Sequence, residues 1–353
     1  MLQQLALPGA SFWSVWNEEL GVFGNAFLIG TPDGLVAIDP LPLDEPSCRR
    51  IEEFGGISVV VTTIPEREQS ALEFARRFSA RVVSSFRERE AVVLGIEAVA
   101  LAGQRNGDAW VLWMPESQTV FAGDVLLGSP AGALSMHDPA LYLNVRNAAL
   151  ELRRILTLDP RRLLFAYGQP VLDDAYDKLY RLLYTHAGAS IHRVNVDELD
   201  FRELHDEGEP MTYACRDAEV GFTIGARRLG YRVTTLAPGK RFCPLHTHAQ
   251  EEELLFVLDG EPSVRTATET IRCRKGDFVA FPVGETGTHQ VRNDSDAPAT
   301  FILLARTEFP EICRYPDSRK LLVDLDVPVE SGRPFYMIAD GPQLDYYHGE
   351  EGG

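Results

Sequence analysis

The stretch CPLHTHAQEEELLFVLDGE, from Cys243 to Glu261, places two of the chain's eight histidines, His246 and His248, one residue apart, with Glu253 close behind. In extended chain, residues two apart share a face, so both imidazoles can project into one interior. Glu253 has the wrong parity to follow on the same strand. A turn through Ala249 to Glu251 resets the register, after which ELLFVLDG runs as the next strand towards Gly260. A later strand, in TGTHQVRN, supplies His289. Three imidazoles and a carboxylate suit one divalent transition metal, Fe, Mn, Ni or Zn, with positions left open for substrate or oxygen. The expected metal ligands are therefore His246, His248, Glu253 and His289. Glu251 and Glu252 read as a solvated turn, Cys243 as a small apolar filler and Asn293 as a turn residue bonding to backbone. Alternation outward from Glu253 puts Leu255 and Val257 inside, beside the site.

The elements that must position these residues are short β-rich runs separated by Gly, Pro, Asn and Asp turns, from GARRLGYRVTTLAPG to ATFILLARTEF, with no helical period. This half reads as an all-β sandwich or barrel, its closing aromatic residues packing back before a mobile acidic, Gly-rich tip. The first half has a different texture. NAFLIGTPDGLVAIDP reads as two strands around a Pro-Asp-Gly turn, ISVVVTT as a buried strand, and EREQSALEFARRF as a helix burying Ala71, Phe74, Ala75 and Phe78. AWVLWMPESQTVFAGD reads as a second strand pair, and RRLLFAYGQP as a strand before a helix whose face is Ala175, Leu179, Leu182 and Leu183. The acidic stretch NVDELDFRELHDEGEP is the expected linker. The expected domains are 1–190, mixed α/β, and 191–353, all β.

The totals exclude other classes. A net charge of -18 repels phosphate backbones and anionic lipid, and no basic patch offsets it, so neither nucleic acid nor membrane is an expected partner. No run approaches the roughly 18 apolar residues of a membrane span. The start, MLQQLALPGASFW, lacks the basic and apolar regions of a secretory signal, and five scattered cysteines without a CxxC fit a reducing compartment. The expected location is the cytoplasm.

The second half resembles the cupins, the double-stranded β-helix barrels, over roughly residues 193 to 350. The first cupin motif is matched by Gly239, His246, His248, Glu253 and Gly260, with one extra residue in its first spacer. The second is matched by Gly276, Pro282, Gly284, His289 and Asn293, with two extra residues before the histidine. Both departures lie in turns. The YPDS stretch, Tyr315 to Ser318, is shared with a subset of such barrels. The resemblance implies a mononuclear metal site on the same four ligands.

The first half resembles the metallo-β-lactamase fold, an αββα sandwich, over about residues 12 to 187. The resemblance rests on element order and on GTPDGLVAIDP and FAGD. That family holds one or two metals through Thr-His-x-His-x-Asp-His, and the metals activate water. Here the stretch is TTIPERE: Thr63 and Pro65 stand where histidines would be, Arg67 replaces the aspartate and Glu68 the last histidine. Gln104 and Tyr167 stand at the two later histidine positions, and only Asp124 remains. A hydrolytic zinc needs about three protein ligands, so this domain is expected to be degenerate and empty of metal. Its rival is a carboxylate site rebuilt from Glu66, Glu68 and Asp124, with Arg67 among them. Asp124 is expected to order backbone amides, and His137 to be a loop residue without a role.

Any chemistry is therefore expected in the barrel, as oxygenation or isomerisation of a small oxygenated molecule. The rival is a non-catalytic module that binds or senses a small ligand, with an interaction surface in the first domain. A third reading makes both halves assembly modules, with a homodimer paired through the sheets. No catalytic residue is assigned.

Overall fold

The computed structural model of the protein describes residues 1–105, 107–206, 211–325, 335–342 and 348. The last four linker residues and most of the aromatic and acidic tail lie outside that set. The chain divides into two units: Met1–Arg193 with Thr223–Gly225, and the remainder.

The first unit is built on two sheets. One carries strands Gln3–Gln4, Ala10–Asn17, Val22–Thr31, Gly34–Ile38, Val59–Val61 and Arg81–Val83 in that order. The other runs Arg162–Leu164, Thr119–Phe121, Gly107–Met114, Ile96–Gln104, Ala91–Val93. The period-2 alternation of strands sorts their side chains between layers. Phe27, Ile29, Val36 and Ile38 meet Ala98, Leu112 and Phe121 between the sheets. The intervening Ala26, Leu28 and Ala37 face Ile51, Ala71 and Phe74 of the helices Glu45–Glu53 and Glu68–Phe78. Helices Val145–Glu151 and Ala175–Ala187 pack on strands Ile96–Gln104 and Arg162–Leu164 of the second sheet. The layers are thus αββα, as the sequence predicts.

Among its described residues the second unit is β apart from short 3-10 turns. An antiparallel sheet of order Arg202–His205, Ala214–Glu219, Leu229–Leu236, Ala299–Arg306, Glu253–Asp259, Phe278–Phe281 shares a core with the strands Ser263–Thr266 and His289–Arg292. Leu255, Val257, Val264, Val291, Phe301 and Leu303 fill that core, which places Leu255 and Val257 inward as alternation predicts. A third sheet runs Thr247–His248, Glu311–Tyr315, Lys320–Asp324, Phe335–Ala339. Among the described residues no helix is long and apolar enough to cross a membrane.

Candidate metal centre

The four expected ligands come from three places in the second unit: the donor atoms of His246, Glu253 and His289 lie within 4.8 Å of one another, while His248 reaches them through Glu253 and is also grouped with Glu311 and Cys313. His246 and His289 face each other across an antiparallel bridge, with His246 N donating to His289 O at 3.1 Å and the return bond at 2.9 Å. Their ring centroids lie 4.5 Å apart, and those of His246 and His248 4.8 Å apart. Glu253 opens the next strand after the turn, pairing with Phe281, and the Phe281 ring stacks on His289 at 3.7 Å. The two extra residues of the second motif sit in the 3-10 turn Glu285–Gly287. That turn closes so tightly that a Cβ on Gly287 would lie 1.7 Å from Pro282 O, which explains a glycine there.

The carboxylate of Glu253 is the point of convergence. Its Oε2 lies 3.1 Å from His289 Nε2 and 3.3 Å from His248 Nε2. The imidazoles are oriented by what their other nitrogens meet. His246 Nδ1 donates to Pro244 O and His289 Nδ1 to Gly287 O, each at 2.9 Å, leaving both Nε2 lone pairs for the centre. His248 Nδ1 faces Cys313 Sγ at 3.3 Å and Glu311 Oε1 at 3.5 Å.

Burial drives the electrostatics. It pushes His246 down to about 4, with the neighbouring His289 and His248 adding to the effect. Burial also opposes charge on His248 and Glu253, but at His248 the contacts with Cys313 and then Glu253 outweigh it, and at Glu253 those with His248 and His289 do. His248 is accordingly raised and Glu253 held below the ordinary carboxylate range.

The donor set fits a metal on one structural observation. His248 Nε2 and Glu253 Oε2 are buried and make no hydrogen bond of acceptable direction, although they face each other. Glu253 Oε2 thus has imidazole nitrogens at 3.1 and 3.3 Å but no well-directed hydrogen bond, and buried polar atoms left so are costly; a cation between them would satisfy both. A divalent ion would be held by Nε2 of the three histidines and by Glu253, which matches nitrogen and oxygen donors for Fe, Mn, Ni or Zn.

Two readings of the surroundings need correction. Glu251 is not part of a solvated turn: its side chain is 17% exposed, its Oε2 lies 3.6 Å from His248 Nδ1, and burial pushes it up to about 7. Only Glu252 is exposed. Cys243 does more than fill space, since its Sγ meets His246 Nδ1 at 3.6 Å. Asn293 behaves as expected, donating to Leu236 O and Ala297 O. The sequence reading missed Glu311 and Cys313. A signal was present: in EICRY the buried positions are Glu311 and Cys313, while Ile312 is exposed, an inversion of the usual alternation. Tyr315, two further on, stacks on His246 with ring centroids 5.9 Å apart.

In the first unit the positions that would carry metal ligands hold a different network. Arg67 is buried at 5% exposure and donates to Asp39 O at 2.9 Å, Asn25 O at 3.1 Å and Ala166 O at 3.4 Å. Its guanidinium lies over the Tyr167 ring, 5.3 Å from the centroid. Thr63 donates to the Asp39 carboxylate through its amide at 2.7 Å and its hydroxyl at 2.6 Å. Burial raises Asp39, opposed by these bonds and by the charge of Arg67. Gln104 Nε2 donates to Ala102 O and Ala148 O. Among the described residues the Asp124 carboxylate meets Arg105, at 2.5 Å, rather than the backbone amides expected of it. His137 is also more than a loop residue, being buried, with its Nε2 donating to Asp124 O at 2.8 Å. Glu66 and Glu68 are exposed. Among the described residues, the groupings of three His, Cys, Asp or Glu donors close enough to share an ion both lie in the second unit. A cleft of about 270 Å³ remains beside Thr63, Glu68, Asp108, Trp110 and Asp124.

The family model of the metallo-beta-lactamase superfamily matches residues 2–185, half of the chain, and the protein belongs to that superfamily. The cupin domain model matches residues 232–305, so the second half carries a cupin domain. A germin-like protein of Arabidopsis thaliana, subfamily 2 member 1, is 36% identical over 93 residues, which are 24% of this chain and 41% of that protein. The chain thus spans less than half the length of this curated relative. Among solved structures, a cupin-superfamily sugar phosphate isomerase from Silicibacter pomeroyi shares 22% identity, covering 44% of this chain and 97% of that one, at a TM-score of 0.37. A metallo-beta-lactamase from Erythrobacter litoralis shares 17% identity over 52% of this chain and 89% of that one, at 0.40. These two likenesses carry no weight on activity.

Proposed function

We propose that the cupin half is a mononuclear metal centre on His246, His248, Glu253 and His289 that binds a small oxygenated molecule, with oxygenation or isomerisation as its chemistry. The observation that carries this reading is the pair of unpartnered buried atoms, His248 Nε2 and Glu253 Oε2, facing one point with two further imidazoles. When bound, the metal supplies Lewis acidity and open positions for oxygen donors. The chain's own residues hold and orient it: backbone carbonyls turn His246 and His289, and the strand after the turn presents Glu253. Tyr315, whose ring stacks on His246, brings a hydroxyl-bearing side chain beside the site.

The first unit, in this reading, has exchanged its metal ligands for the Arg67 and Asp39 network and does not hydrolyse esters, lactams or thioesters. A second reading, a non-catalytic binding or sensing module, draws support from the apolar core of Leu255, Val257, Phe301 and Leu303 beside the site. The test is titration of the Co(II)-loaded protein with small hydroxy acids, keto acids and sugar phosphates, followed through the metal's visible bands. A shift with at least one class, abolished by His246→Ala, supports the reading. Unchanged bands with all three would count against it.

A further inference from the structure

We propose that Glu311 is the positioning residue of the metal centre, holding His248 in the tautomer that turns Nε2 to the metal and making it the most electron-donating of the three imidazoles. This rests on the metal-centre reading above. The first support is that Glu311 is itself immobilised. It is 3% exposed, its Oε1 accepts from Ala249 N at 2.8 Å, and its Oε2 accepts from Gln250 N at 3.0 Å and Glu251 N at 3.1 Å. Those amides belong to the turn joining His248 to the Glu253 strand, so one carboxylate fixes the connection between two ligands.

The second support is direction. Strand pairing sets His248 opposite Cys313, and the alternation of Glu311 and Cys313 brings both to one side of the imidazole. Glu311 Oε1 and Cys313 Sγ lie 3.5 Å and 3.3 Å from His248 Nδ1, and 3.9 Å from each other. His246 and His289 turn their Nδ1 to backbone carbonyls, which are neutral acceptors. His248 Nδ1 meets carboxylates instead, Glu311 at 3.5 Å and Glu251 at 3.6 Å, of which Glu311 is the one locked by three amides, and a metal-bound imidazole whose other N–H faces a carboxylate is the more basic ligand. The three histidines are chemically unequal before any metal binds.

The same three atoms, His248 Nδ1, Glu311 Oε1 and Cys313 Sγ, could themselves surround a second ion. The positioning role is favoured because Nδ1 must keep its proton if Nε2 is the ligand.

The test uses the full chain loaded with zinc and histidine-selective ¹⁵N–¹H correlation. The expected spectrum shows His248 protonated at Nδ1 with its proton furthest downfield of the three ligand histidines. Glu311→Gln should move that signal upfield and weaken zinc binding about 10- to 100-fold by chelator competition, with Glu311→Asp recovering part of the loss. Unchanged affinity and an unmoved His248 signal in Glu311→Gln would overturn the role. So would zinc on Nδ1 of His248 in the wild type, or a second equivalent lost on Cys313→Ser. If Glu311→Gln does not fold, the wild-type spectrum alone decides. A wild-type protein that takes up no metal refutes the centre itself, a result distinct from a metal-binding protein indifferent to Glu311.

Discussion

Replacing Arg67 with methionine asks whether the first unit has turned a metal site into a packed polar plug. Methionine roughly keeps the side chain's length and removes its donors and charge. Two well-formed bonds are lost, to Asp39 O at 2.9 Å and Asn25 O at 3.1 Å, with a longer one to Ala166 O. Asn25 O and Ala166 O lie among strand partners, Ala166 O also accepting from Asn25 N at 2.7 Å, so the main loss falls at Asp39. Its carboxylate stays fully buried on Thr63 and Thr62, without the cation whose charge favours ionisation. Arg67 meets Asp39 at its backbone carbonyl rather than its carboxylate, so the loss is that of hydrogen bonds from a charged donor, roughly 1.5–3 kcal/mol each, giving about 3 kcal/mol. For a unit of this size that is a fall in Tm of about 6–12 °C. All four tryptophans, Trp13, Trp16, Trp110 and Trp113, lie in the first unit, so their fluorescence follows its unfolding in the intact chain. Adding Asp39→Asn to Arg67→Met should recover part of the loss, because no charge is then left stranded. A change below about 2 °C for the single variant, or no recovery in the double, would refute the plug.

Other outcomes follow from the same geometry. His248→Ala and Glu253→Gln should each strip most bound metal by elemental analysis, while Glu252→Ala, on an exposed residue, should leave it unchanged. Gly287→Ala, whose Cβ would lie 1.7 Å from Pro282 O, should cost roughly 2 kcal/mol or more in urea unfolding and lower metal content through His289. Burial lowers the pKa of His137, so the folded state favours its neutral form. Its contribution to stability is full above the unfolded value of about 6.5 and is lost as pH falls through the depressed one. His137→Gln should therefore flatten the acid side of the stability profile in denaturant melts, and an unchanged profile would contradict the assignment.

Much of the architecture was legible because it depends on local pattern. Alternation in NAFLIGTPDGLVAIDP sorts Phe27 from Leu28 between two cores, and helical spacing buries Ala71, Phe74 and Ala75. The grouping of His246, Glu253 and His289 was legible because two motifs carry them. What was not legible depends on contacts across long separations. Glu311 is 63 positions from His248, and only strand pairing brings its neighbour Cys313 opposite that histidine. Glu251 looked solvated because its own segment is acidic, whereas residues distant in sequence, Glu308 and Glu311, lie against it. The fate of Asp124 turned on Arg105, a residue that no local period marks as its partner.

The central claim is that the protein has one metal centre, in the cupin half, and a first domain that has given up its own. Elemental analysis of the full chain, purified without added metal and again after loading and exhaustive washing, tests it most directly. The account predicts about one divalent transition metal per chain, lost in His246→Ala and untouched in Asp124→Ala. A value near two, with the excess removed by Asp124→Ala, would contradict it and restore a carboxylate site at Glu66, Glu68 and Asp124. A loaded wild-type chain holding no metal would contradict the centre itself.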